Sequence, residues 1–223
     1  MIYNEFEIAI SSPRLTKYRV ACAGNTRKAQ KLYRANIRLS QKIYAVIGLF
    51  EVVLRNSIDG HFVPLKGSDW LANAVCEPTG YLNGVGCEDS FHSVYDAIHK
   101  LGLKYTHDGL VASLTFGFWT YQFSKHEFPA SGNTLLSVFP HLPFGTKQKD
   151  VFQLLMKVNI LRNRIAHHEP ICFDSVTGAI STAMVSKRYT VVTDLLSWLG
   201  YNHQKLFFGI DGVKSEINFI NSL

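Results

Sequence analysis

Between Thr26 and about Phe62 the chain carries no proline, and only one interior glycine, Gly48, before Gly60. Within that stretch Ile43, Ile47, Phe50, Leu54 and Ile58 recur three and four residues apart. That spacing returns each side chain to one face of a helix, so the segment is expected to form a single long amphipathic helix. Such a helix must bury its stripe against other elements, and an apolar content of 47% supplies them. Wholesale disorder is excluded on the same ground.

The rest of the chain reads as further helices. Ser12 and Pro13 open a short one to about Cys22, Ser12 as cap and Pro13 at the first helical position. A turn or two is expected over Ser68–Val75, a helix from Asp89 or Ser90 to about Leu101, and another over His107–Ser124. Asn133–Phe139 leaves room for a short one. A helix from Thr146 carries Val151, Leu154, Leu155, Val158, Leu161 and Ile165 as its stripe, and Pro170 is expected to stop it. Ser181–Leu199 and Val213–Asn221 complete the set, and strand-like alternation is scarce. The expected fold is all-α: a helical bundle with one long amphipathic helix near its N-terminus and additional short helices. With no convincing linker, the 223 residues are expected to form one domain, 1–223.

The formal charge is +6 and the pI about 9.1, which permits a polyanionic partner without requiring one. Cys22, Cys76, Cys87 and Cys172 form no C-x-x-C pair and suggest reduced thiols in a cytoplasmic protein. The N-terminus lacks the pattern of a signal peptide, and no apolar run is long enough to span a membrane. No metal-ligand spacing stands out, so neither a metal nor another cofactor is expected.

One segment concentrates the chemistry. Arg162 to Ile171, RNRIAHHEPI, sets two arginines, an asparagine, two histidines and a glutamate directly after an apolar helical run. Arginine holds phosphate with a fixed fork of donors, and histidine exchanges protons near neutral pH. Those are the groups that RNA cleavage without a metal needs. The spacing alone does not decide the matter. Arg and His are also favoured at a helix C-terminus by the dipole. Arg162 and His167, five apart, stand about 140° apart around an ideal helix, whereas Arg164 and His168 share a face. For Arg162 and His167 to meet at one phosphate, either the helix frays at His167 or a second copy of the chain completes the pair.

The string LRNRIAHHEPI contains R-N-x-x-x-H, and in this it resembles HEPN-domain ribonucleases, more closely the "RN-x-x-AHH" segment of the Abi-like proteins of bacterial abortive infection. The stretch from SSPRLTKYR to EVVLRNSI resembles the N-terminal region of that family, and LTFGFWTYQF resembles its "L-FGFW" segment. The three matches keep the family's order and extend from about Ser11 to Pro170. The resemblance implies a HEPN-like bundle and an antiviral or toxin-type endoribonuclease working as a homodimer on RNA, with no cofactor. It makes Arg162 the phosphate-binding arginine, Asn163 the motif's polar residue and His167 the catalytic histidine. His168 is a neighbour whose role the motif leaves open, and Glu169 inherits none. Two other implied possibilities stay open: a non-catalytic RNA- or protein-binding module, and a toxin component controlled by an antitoxin or other regulatory protein.

Three further places bear on such a function. Glu51, Arg55 and Asn56 lie near the end of the long helix, with Glu51 and Arg55 on one face; the pair is either an exposed ion pair, or the three support the motif helix or line the same cleft. Arg55 to His61 forms a looser version of the motif, though Gly60 makes helical geometry doubtful there. Arg27, Lys31, Arg34, Arg38 and Lys42 line one face of the long helix, as a solvated stripe or a track for RNA phosphates. The aromatic segment Phe116, Phe118, Trp119, Tyr121 and Phe123 is expected in the core rather than stacked on bases.

Overall fold

A computed structural model describes residues 2–223. The fold is all-α, with twelve α-helices and three short 3-10 turns among the described residues. The helices are α1 (Tyr3–Ile10), α2 (Ser12–Ala21), α3 (Thr26–Lys66), α4 (Trp70–Cys76), α5 (Glu88–Leu101), α6 (His107–Ser113), α7 (Phe116–Tyr121), α8 (Glu127–Ala130), α9 (Gln148–Ala166), α10 (Ala183–Trp198), α11 (His203–Leu206) and α12 (Val213–Asn221). The only β-pairing among them is an isolated antiparallel bridge between Phe173 and Ile180. No helix among the described residues is long and apolar enough to cross a membrane.

The long helix runs past the expected end at Phe62 to Lys66, with Pro64 in its final turn. A proline there removes one hydrogen bond, and Gly67, at φ +90°, closes the helix by donating its N–H to the Val63 carbonyl at 2.9 Å. Gly60 therefore does not interrupt helical geometry before His61. The segment expected as one helix over His107–Ser124 is instead broken. Thr115 adopts extended backbone and its Oγ1 accepts from the Phe118 N–H, so it caps a new helix, α7. Helices α1, α8 and α11 are additional to those expected.

The residues pack as two compact units. The first comprises Met1–Gly48, Ile160–Thr193 and Gln204–Leu223. Its core includes Leu15, Leu32, Leu39, Ile43, Leu161, Ile171, Val185 and Phe207, all buried. Phe6, Tyr18, Tyr33 and Phe173 form a chain of edge-to-face ring contacts with centroids 5.0–5.5 Å apart. Burial pushes the Cys172 thiol up to about 12, so it stays protonated.

The second unit comprises Leu49–Asn159 and Asp194–His203. Its core holds Phe50, Leu54, Ile58, Phe62, Trp70, Trp119, Val151 and Leu155. Phe116, Phe118, Trp119 and Phe123 are buried there, as expected for core aromatics, while Tyr121 is 42% exposed. A buried carboxylate, Glu127, is satisfied by the hydroxyls of Ser90 and Ser124.

Candidate functional site

The RNRIAHHEPI segment forms the C-terminal turn of α9 and the loop that leaves it. The helix does not fray. The His167 N–H donates to the Asn163 carbonyl at 3.0 Å, which keeps His167 at a helical azimuth. His168 then enters the left-handed region at φ +56°. Its N–H reaches the Ile165 carbonyl at 2.9 Å, and the Glu169 N–H reaches the Arg164 carbonyl at 2.8 Å. These two bonds define a Schellman closure, which usually places glycine where His168 stands. The helix is therefore ended by this turn, two residues before Pro170.

Three side chains fix the turn. Arg164 donates from Nε to Glu169 at 3.1 Å and from Nη2 to the Pro170 carbonyl at 2.7 Å. Arg14 of α2 donates from Nη2 to the His168 carbonyl at 2.5 Å. The buried Asn36 of α3 accepts the Ile171 N–H on its Oδ1 at 2.9 Å. The sequence carries no local signal for Arg14 or Asn36 in this role, because both reach the turn only through tertiary packing.

Within this frame Arg162 is half-buried, and Asn163, His167 and His168 are exposed. Arg162 forms no ion pair among the described residues. Its Nε is buried without a hydrogen-bond partner, and its Nη1 makes only a 3.5 Å contact to Asn163 Oδ1. No hydrogen bond links Arg162 to His167 within the chain. A cleft of about 460 Å³ lies beside the turn, between α3 and the end of α9. Its walls are Asn36, Ile37, Gln41, Tyr44, Ile165 and Ala166, with His168 and Glu169 at the rim; His167 is not among them.

The other candidates fall in two places. Glu51 and Arg55 are half-buried and Asn56 is exposed, all three in the second unit. The Arg55 Nε is buried without a hydrogen-bond partner. The five cations of the stripe are all exposed, and three of them already have partners in the fold. Arg38 is ion-paired with Glu216 at 3.0 Å and lies over the Phe219 ring at 4.9 Å. Lys31 lies over the same ring at 5.1 Å, and Arg34 over Phe6 at 5.4 Å. Helices α12 and α1 thus engage three of the five, leaving Arg27 and Lys42 outside these contacts. His61 is bonded through its ring nitrogens to Thr134 and Ser137, and burial, then the charge of Lys66, lowers its pKa.

No family model, curated protein or solved structure matches the chain.

Proposed function

We propose that the chain is a metal-independent endoribonuclease of bacterial antiphage defence, with Arg162 and His167 as its catalytic residues and a homodimer as its working form. One observation carries this reading. A guanidinium with no acidic partner stands five and six residues before two exposed histidines, and the second of these, His168, sits in the left-handed region. Unpaired charge and local backbone strain are features that folded chains tend to keep for function. The likeness of LRNRIAHHEPI to the HEPN motif supports the same assignment.

The chemistry follows from the groups. One imidazole takes the proton of an RNA 2′-OH, and the freed oxygen forms a bond to the adjacent phosphorus. The bond from phosphorus to the 5′-oxygen breaks, and a second, protonated imidazole delivers a proton to that leaving oxygen. The products are a 2′,3′-cyclic phosphate and a 5′-hydroxyl. Arg162 stabilises the negative charge gathered on the phosphorane-like transition state. The two imidazoles are His167 of each copy of the chain. DNA has no 2′-OH and is inert.

A second reading is a non-catalytic RNA- or protein-binding module. It is favoured by the separation of Arg162 and His167 within one chain. Cleavage of mixed RNA in EDTA, for the parent and for Arg162→Ala and His167→Ala, separates the two. Each variant is expected to lose about 100-fold or more in rate. Activity that survives in either variant, or that EDTA removes from the parent, refutes the catalytic assignment.

A further inference from the structure

We propose that Arg164, Lys187 and Arg188 form a phosphate-binding subsite for the RNA backbone, separate from the Arg162–His167 pair; the choice of RNA as ligand rests on the function proposed above. The three cations line a pocket of about 230 Å³ between the motif end of α9, the loop carrying the Phe173–Ile180 bridge, and the first turns of α10. The volume admits a phosphate group together with part of the sugar that carries it.

The charges in the pocket are arranged for a ligand. Arg164 is oriented by its Nε bond to Glu169 and its Nη2 bond to the Pro170 carbonyl, neither of which uses Nη1. Neither Lys187 nor Arg188 forms an ion pair among the described residues, and Arg188 is half-buried. Asp174 is the one carboxylate in the lining. Its Oδ1 accepts from the Val176 N–H, the Thr177 N–H and the Thr177 hydroxyl at 2.8–3.0 Å, so that oxygen is engaged in the turn. Those bonds hold its pKa below the usual carboxylate value. Setting Glu169 and Asp174 against the three cations leaves one surplus positive charge, which a single phosphodiester neutralises. The hydroxyls of Ser175 and Ser181 on the same wall add neutral donors.

The position also fits a polymer. Arg162 and Arg164, two residues apart, face roughly opposite sides of a helix about 10 Å across. A strand crossing the end of α9 would meet Arg162 with one phosphate and the pocket with another a few nucleotides away.

The test uses a 2′-O-methyl oligoribonucleotide, which keeps every phosphate but lacks the attacking hydroxyl, so binding is measured without turnover. Anisotropy titrations compare the parent, Lys187→Gln/Arg188→Gln, the charge-conserving Lys187→Arg/Arg188→Lys, and Lys100→Gln/Lys104→Gln as a control with the same loss of charge elsewhere. Losing the subsite is expected to weaken binding about ten-fold, the value of one charge-assisted hydrogen bond. The slope of log K against log salt should fall by about 0.7. The charge-conserving pair should bind within a few-fold of the parent. Equal weakening by the Lys100/Lys104 control, or parent-like binding by Lys187→Gln/Arg188→Gln, overturns the proposal. Calorimetry with inorganic phosphate distinguishes the ligand's source: heat that disappears in the glutamine pair assigns a free phosphate, and absence of heat with oligonucleotide binding intact assigns the backbone. A parent that binds through this pocket but never cleaves unmodified RNA upholds the subsite and sinks the nuclease.

Discussion

His168 offers a direct test of whether the motif turn is held in a costly conformation. At φ +56° it occupies a region where an L-residue pays about 1–2 kcal/mol and glycine pays nothing. Comparing His168→Gly with His168→Ala removes the imidazole in both and leaves the backbone conformation as the main difference. Glycine also gains conformational freedom in the unfolded chain, which offsets about 0.4–1 kcal/mol of the advantage. The net expectation is that His168→Gly is more stable than His168→Ala by about 0.5–1 kcal/mol. For a chain of this size that corresponds to roughly 1–4 °C in melting midpoint. Urea unfolding followed by circular dichroism at pH 7, with the slope shared between variants, measures it. If His168→Ala equals or exceeds His168→Gly, then the left-handed conformation carries no net cost at this position, and the argument from backbone strain fails. The glycine variant has a second use. It keeps the turn and deletes only the ring, so any change in RNA cleavage it causes belongs to the His168 imidazole.

Two further outcomes follow from the same region and from α3. Replacing Asn36 with alanine leaves the buried Ile171 N–H without its 2.9 Å acceptor and should cost about 1–3 kcal/mol in urea unfolding; an unchanged midpoint would show that water or another acceptor takes its place. His61 titrates below its ordinary value of 6.5 in the folded state because burial, then Lys66, disfavours its charged form. The unfolded chain therefore binds the proton more readily, so this contribution to stability is complete above about pH 6.5 and is lost as pH falls through the lowered folded value. The melting midpoint of the parent should drop more steeply between pH 7 and 5 than that of His61→Asn, and parallel curves would refute it.

The long helix was legible because its stripe is regular: Ile43, Ile47, Phe50, Leu54 and Ile58 are all essentially buried. Its end was less so: Pro64 lacks the N–H that would bond the Gly60 carbonyl and so reads as a stop, yet the helix runs on to Lys66 before Gly67 closes it. The split between α6 and α7 was hidden for a related reason. Thr115 is a modest helix former by composition, but its hydroxyl caps Phe118, and side-chain capping competes with helix continuation without changing the apolar pattern. Helix α1 was invisible as a core element because Phe6 is its one buried residue, held by Tyr33 far along the chain.

The candidate site divides in the same way. Residue types and their order were readable, and so was the rotation between Arg162 and His167. The sequence could not say how the helix ends, because a Schellman closure is ordinarily announced by glycine and here a histidine takes the position. That detail bears on the chemistry. With the His167 N–H bonded to the Asn163 carbonyl, fraying no longer supplies a route for His167 to swing toward Arg162. Lys31, Arg34 and Arg38 of the α3 stripe stay exposed while stacking on rings, and Arg38 also pairs with Glu216. On the mechanism proposed above, the proton donor and acceptor are the His167 rings of two copies of the chain. The phosphate contacts must then come from groups left unpaired around the end of α9, with Arg162 on one face and the Arg188 pocket on the other. On that mechanism catalysis and dimerisation are a single requirement, because Arg162 and His167 share no hydrogen bond within one chain and stand at different azimuths of the helix.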